Sequence, residues 1–391
     1  MKTNSEKEKI IQYLRDKNYY ELKSLAEKFS AQAMTGKDYE LITLAITCYT
    51  LTKLIQKNSF TSKNWNQFIQ NLEEEFKKGS EDYETTVKEY AALNSRYTMN
   101  AWERARLKVT AQIYAHGASL ERAAAITHTD YWEAGNYIAT TKIHDRMEYE
   151  NLEEKVMETI QKIGRDKNKV MCDSSSLLAL TQAGLIDIID FLKDIEFYIP
   201  DEVLIETVEK ALRNPKYTLS GLRVKEKVDA GLLKVIVIDN NEAKVIVDNA
   251  NKIYSIEKTN LEILQQGEAE AMLALLKGYA TAMLVDERTA RKLCENIQDL
   301  TNVLKSEYEL RLITNEENKK YFDQFKKYHV FRSTELVALA GAKGYFKKFK
   351  ENEEKGFVSA MYSLRNYGCS ISDSELKEYA ILAPKIITMK V

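Results

Sequence analysis

Two aspartates stand where short apolar runs stop. Asp173 closes "KVMC" and Asp286 closes "TAMLVD". Short apolar runs bounded by polar residues suit buried strands. In a parallel sheet the two strand ends share one edge, where α/β folds gather ligands. Glu206 lies on the helix that begins after "EFYIP", and Glu268 opens the "GEAEA" helix that feeds the strand ending at Asp286. Four carboxylates converging with no lysine or arginine between them would repel strongly. A hard divalent cation, Mg²⁺ or Mn²⁺, relieves that repulsion through oxygen ligands alone. Such an ion lowers the pKa of a bound water and stabilises charge on a phosphoryl oxygen, so the implied chemistry is phosphodiester hydrolysis.

Each acid also has a plainer role open to it. Asp173 and Asp286 both precede helical segments and suit N-capping. Glu206 shares a helical face with Glu202 and Glu209, the pattern of a solvated acidic stripe. Glu268 suits a helix N-terminus, in which case Glu270, two positions on, is the inward acid.

The elements that must position these acids occupy the second part of the chain. After residue 168 strand-like runs alternate with helical ones: "KVMC", helix "SLLALTQA" ending at Gly184, a shorter helix "LIDIIDFL", strand "EFYIP", helix "DEVLIETVEKAL", strand "LLKVIVID", helical "NEAKVIVDNANKIY", helix "GEAEAMLALLKG", strand "TAMLVD", helix "ERTARKLCENI" and strand "HVFRS". This order predicts an α/β fold, a parallel sheet covered by helices. From 5 to about 160 every apolar pattern is helical, as in "IIQYLRDKNYYELKSLAEKF" and "WNQFIQNLEEEF". The predicted organisation is an all-α domain over 1–150, a helical connector over 151–167 and the α/β domain with a C-terminal helical extension over 168–391.

Composition narrows the function classes. With 391 residues the chain is long for one core. Its 44% hydrophobic and 30% charged residues suit a soluble globular protein, and 3 prolines with 14 glycines suit long helices. A net charge of -2 gives no global pull toward nucleic acid, so such a surface must be local. Cys48, Cys172, Cys294 and Cys369 show no CxxC spacing, which argues against zinc and for a reduced, cytoplasmic setting. "LITLAITCYTLTKLI" is too short and threonine-rich to span a bilayer, so no membrane contact is expected.

Along residues 168–383 the chain resembles the PIN-domain nucleases. "VMCDSSSLLALTQAGLIDII" resembles the opening of that family, with Asp173 at its first acid. "IPDEVLIETVEKA" resembles the next block and puts the second acid at Glu206. "GEAEAMLALLKGYATAMLVDERTARKL" is similar to the third, with acids at Glu268 and Asp286. "STELVALAGAKGYFKKF" and "SLRNYGCSISDSELKEYA" resemble the tail of a VapC-like subfamily of unassigned function. The resemblance implies a metal-dependent endoribonuclease whose relatives often act as toxins, with RNA as substrate. Stretches around 212–262 and 297–327 depart from the pattern as insertions, which would add a contact surface or obstruct the site.

"IYAHGASLERAAAITHTDYWEAGNYI" (113–138) has a helix-turn-helix layout and resembles the antitoxins partnered with this subfamily. Ser119 would cap the first helix and "THTD" would make the turn. His128 stands where glycine is common and Thr129 where an apolar residue usually packs. The second helix offers mainly Tyr131, Trp132, Glu133 and Asn136, and Glu133 would oppose phosphates. Docking to the nuclease domain or to another subunit is therefore expected ahead of DNA reading, and a homo-oligomer is expected. For substrate binding the candidates are Ser174, Arg288 and Arg291 beside the acids. Lys347 and Lys348 join them from "GAKGYFKKFKENEEKG", where lysines interleave with aromatic rings.

Overall fold

A computed structural model describes residues 2–33, 39–57, 64–78, 82–93, 101–116, 118–139, 151–164, 168–215, 217–256, 259–308 and 312–389. The chain forms two compact units, Met1–Ala134 and Gly135–Val391. Among the described residues no helix is long and apolar enough to cross a membrane.

The first unit is helical. The long periodic stretch near the N-terminus is two helices, Lys2–Arg15 and Tyr19–Ala33, because the chain turns at Lys17, whose φ is +53°. Helix Tyr39–Gln56 is apolar almost all round and buried along most of its length. Helices Trp65–Lys78 and Tyr83–Leu93 join through stacked Phe68 and Tyr90. The "KKGSED" break falls partly outside the described residues. Helices Ala101–Ala115, Leu120–Ile126 and Tyr131–Ala139 carry the helix-turn-helix-like segment. Ser119 caps Leu120–Ile126 by accepting the Arg122 N–H at 3.1 Å. His128 holds the turn at φ +51°, a conformation glycine adopts at less cost. Thr129 is buried, yet satisfied: its hydroxyl meets those of Thr110 and Thr127 at 3.0 Å. Trp132 is buried as well, so it packs and does not present a side chain to a groove.

The second unit is built on a parallel sheet of β1 (Asn168–Cys172), β2 (Ile195–Pro200), β3 (Leu233–Ile236), β6 (Ala282–Leu284) and β8 (His329–Phe331), in the order β3-β2-β1-β6-β8. All four ladders are parallel, so every strand ends at one edge. The last three residues of β1, Val170–Cys172, are apolar and buried because the strand is central and covered on both faces there. Helices return the chain between strands, with Gly184 at φ +71° stopping helix Ser174–Gln182. The helix Leu152–Gly164, in the stretch read as a connector, sends Leu152, Val156, Ile160 and Ile163 into the core of this unit.

The expected helix through "NEAKVIVDNANKIY" ends at Ala250, and Tyr254 belongs to a strand instead. That strand, β4 (Tyr254–Ile256), pairs antiparallel with β5 (Thr259–Asn260) and β7 (Leu312–Thr314). The two insertions therefore meet in a small second sheet. The Tyr254 hydroxyl fastens it, 2.7 Å from Thr301 Oγ1 and buried.

Candidate active site

Asp173 follows β1 directly. Its backbone N–H continues the ladder by donating to Leu284 O at 3.0 Å, which places it beside the end of β6. Its side chain caps helix Ser174–Gln182, accepting the Ser175 N–H at 3.1 Å and the Ser175 hydroxyl at 2.5 Å. Capping and a position at the sheet edge thus coexist in one residue. Burial pushes its carboxyl pKa up, against the Ser175 hydrogen bonds.

Asp286 lies two residues beyond β6 and is not a cap, since Glu287 holds the N-cap position of helix Arg288–Glu295. Its Oδ1 accepts the Ser333 N–H at 2.7 Å, and its Oδ2 is buried without a hydrogen bond of ordinary geometry. Burial raises the carboxyl to about 6, while Ser333, the Cys369 thiol and Arg332 oppose the shift.

Glu268 is in the first turn of helix Gln266–Leu276, where Oε2 accepts the Gln265 N–H at 2.8 Å. The helix runs back toward the start of β6, so its N-terminus lies at the edge that holds the aspartates. Glu206 reaches the same place from helix Asp201–Leu204 and the π turn Ile205–Glu209 that continues it. Its carboxylate oxygens lie 3.6–3.7 Å from where a Cβ on Gly267 would stand, an ordinary contact distance that sets Glu206 against the first turn of helix Gln266–Leu276. The π turn packs under helix Thr218–Asp229, where a Cβ on Gly221 would come within 2.9 Å of Ala211 Cβ.

Two features differ from the pattern drawn from sequence. A cation does enter the group: Lys210 Nζ lies 3.9 Å from both Glu206 Oε1 and Glu202 Oε1. Glu270 is also more deeply buried than Glu268. It is 1% exposed, with Oε1 taking the Gln266 amide at 3.0 Å and Oε2 unpartnered. Burial raises its carboxyl to about 7, with Asp201 and Glu202 adding to the shift.

The proposed substrate contacts are distributed unevenly. Ser174 sits beside Asp173 and is nearly buried. Arg288 and Arg291 are each 2% exposed, and Arg291 faces Glu295, 3.9 Å away, and the Arg332 region. Lys347 and Lys348 are exposed but lie at the far edge of the sheet. Helix Ser333–Ala342 carries the chain away from the acids, and Lys343, just past it, bonds Asp194 at the start of β2. A five-residue strand, roughly 16 Å, separates the two edges. Tyr345 and Phe346, between Lys343 and Lys347, are buried core residues, so the interleaved aromatics offer mainly Phe349 for stacking.

Sequence reasoning missed Arg332, Ser333 and Cys369. The Arg332 side chain is 1% exposed, gives Nη2 to Glu335 at 2.8 Å and Nη1 to Ser370 O at 2.7 Å, and pairs by charge with Glu375, 2.9 Å from Nη2. The three-residue spacing of Arg332 and Glu335 was visible, but nothing in the chain pointed to Glu375.

Among the described residues no three of His, Cys, Asp and Glu close into one coordination sphere. The donor set is nonetheless oxygen-only, and Mg²⁺ is ordinarily held by one or two carboxylates plus water, not by a protein cage. The buried, unpartnered Oδ2 of Asp286 fits such an ion.

In comparison with known families, residues 169–340 match the family described as DUF3368: PIN domain. Neither a curated protein nor a solved structure matches the chain. The match spans all five parallel strands but β1's first residue, together with all four candidate acids, and PIN domains are typically nucleases. Residues 169–340 are a PIN domain.

Proposed function

We propose that the protein is a metal-dependent endoribonuclease of the PIN and VapC type, hydrolysing RNA phosphodiester bonds. The observation that carries this reading is Asp286, a buried carboxylate with an unpartnered oxygen at the strand-end edge that Asp173 shares. Asp173, Glu206, Glu268 and Asp286 would hold Mg²⁺ or Mn²⁺. When bound, the ion supplies an acidified water and charge stabilisation at the phosphoryl oxygen. The chain does the positioning. The Ser333 N–H orients Asp286, Ser175 orients Asp173, and the capping bond to Gln265 holds Glu268. Burial of both aspartates excludes water that would screen their charge.

The helical unit, in this reading, is an antitoxin-like element that restrains, positions or oligomerises the nuclease, with protein or DNA contact through residues 113–138. Removal of residues 1–150 should then change the cleavage rate, and an unchanged rate would count against that role. The central test is cleavage of mixed single-stranded and structured RNA with Mn²⁺, comparing wild type with Asp173→Asn. Metal-dependent cutting lost in the variant supports the nuclease.

A second reading, a non-catalytic PIN-fold regulator that binds nucleic acid or scaffolds an assembly, has its own observation. The described acids do not gather in threes, and both arginines next to Asp286 are buried. RNA binding without cutting, by the whole chain and by residues 151–391, would favour it.

A further inference from the structure

The matched domain ends at residue 340, yet the groups that hold its fourth acid do not. Arg332 is the residue before Ser333, whose N–H orients Asp286. Four contacts fix Arg332. Its own N–H donates to Glu335 Oε2 at 2.7 Å, and its guanidinium is taken by Glu335, by Glu375 and by the carbonyl of Ser370. The Tyr379 hydroxyl donates to Glu335 Oε1 at 2.9 Å and holds that carboxylate in turn. Glu375 and Tyr379 belong to helix Asp373–Thr388, and Ser370 to the loop before it. Cys369 in the same loop is fully buried with its thiol against Asp286.

The cluster extends to the other side. Lys155, on helix Leu152–Gly164, gives Nζ to Glu295 at 2.5 Å and to Val330 O at 2.7 Å, and Arg291 lies 3.9 Å from Glu295. Three cations (Lys155, Arg291, Arg332) therefore balance three carboxylates (Glu295, Glu335, Glu375) against the strand that feeds Ser333. A buried ion cluster is weak support for stability; here the hydrogen-bonded core of the cluster is Arg332 with Glu335 and Ser370.

We propose that Arg332 is a positioning residue for Asp286, and that the C-terminal segment 369–379, by clamping Arg332, sets the cation affinity of the site. This rests on the nuclease reading above. Loss of the clamp lets the Ser333 backbone shift, and Asp286 loses the Ser333 N–H bond that aims its other oxygen. Outer groups that orient metal ligands commonly govern affinity by 10–100-fold.

The test uses the full chain with Arg332→Lys, which keeps the charge but loses the fork, and Glu375→Gln, which keeps the shape but loses the charge. Ile386→Val, in the apolar core on the same terminal helix, serves as a stability control. Mn²⁺ affinity is measured without RNA, and kcat and KM with it. Both clamp variants should weaken Mn²⁺ binding about tenfold and lower kcat with little change in the KM for RNA. Ile386→Val should lower Tm with its Mn²⁺ affinity intact. Clamp variants that lower Tm but keep Mn²⁺ affinity within about twofold of wild type would overturn the proposal. If the wild type binds no Mn²⁺, the nuclease reading fails by itself. The amide proton of Ser333 then decides the positioning. Its resonance must move upfield in Glu375→Gln and not in Ile386→Val, and an unmoved resonance in both overturns it.

Discussion

Two buried groups of acids in the PIN-containing unit respond to burial in opposite ways. At the strand-end edge, burial prevails: Asp286 is raised to about 6 and Glu270 to about 7. Around Arg332, burial is just as complete, yet Glu335 is held down at about 2 by the guanidinium beside it. Burial alone also works against the charge of Arg332, and the Glu335 and Glu375 carboxylates outweigh it. Removal from water thus costs both groups, and partners decide the outcome. The paired group is finished as it stands, whereas the edge group is poised to accept positive charge from outside the chain.

The largest effect should come from breaking the paired group. Arg332→Met leaves Glu335 and Glu375 buried without their cation and should cost about 3–5 kcal/mol in urea unfolding. A loss below about 1 kcal/mol would mean that the two groups do not differ as described.

Asp286→Asn should act in the other direction. The carboxyl titrates near 6 when folded and at its ordinary 3.8 when unfolded. Between those values the folded protein keeps a proton that the unfolded chain has released. Stability therefore falls as pH rises from about 4 to about 6 and stays lower above. The amide keeps an acceptor for Ser333, so at pH 7.5 in EDTA the variant should be about 1–3 kcal/mol more stable while losing cleavage. A variant no more stable than wild type would place the cost of burial elsewhere.

His329 extends the contrast to the start of β8. Burial first, then Lys155, lowers its pKa to about 4. The unfolded chain binds the proton sooner, so stability present above pH 6.5 is lost as pH falls toward 4, by about 3 kcal/mol at most. His329→Gln, which can still meet Thr159, should flatten that part of a thermal-melt series. A slope identical to wild type would assign the acid sensitivity to other groups.

The smallest effect belongs to Lys210. It is half exposed and 3.9 Å from Glu206, so Lys210→Gln should change stability by under about 0.5 kcal/mol. It should tighten Mn²⁺ binding slightly by removing a competing cation. Weaker binding would mean that Lys210 helps to hold the acids in place.

Much of this was legible before the fold was known. Asp173 and Asp286 declared themselves because a strand buried on both faces is an unbroken apolar run, and the first polar residue after it marks the edge. The helices announced themselves by period and by caps such as Ser119. The small sheet did not: β4, β5 and β7 have only 3, 2 and 3 residues, and unlike the equally short β6 they carry no continuous buried apolar run. Where Lys347 and Lys348 would lie was not legible for a related reason. Lysines among aromatics look alike on either edge of a sheet, and only the direction of helix Ser333–Ala342 tells which edge they occupy. The partnership of Arg332 with Glu375 spans 43 positions and leaves no local trace.

The π turn at Ile205–Glu209 has a consequence for insertions and deletions. A π turn amounts to one residue more than an α-helix needs, and each residue turns a helix by about 100°. The extra residue lets Asp201–Leu204 and Lys210–Leu212 each keep its own facing while Glu206 leans toward Gly267. The seat of Glu206 is therefore fixed by how many residues lie in this stretch as well as by which ones. Deleting Thr207 would convert the segment to plain helix and swing the acid off the edge, leaving every other candidate acid in the chain unchanged.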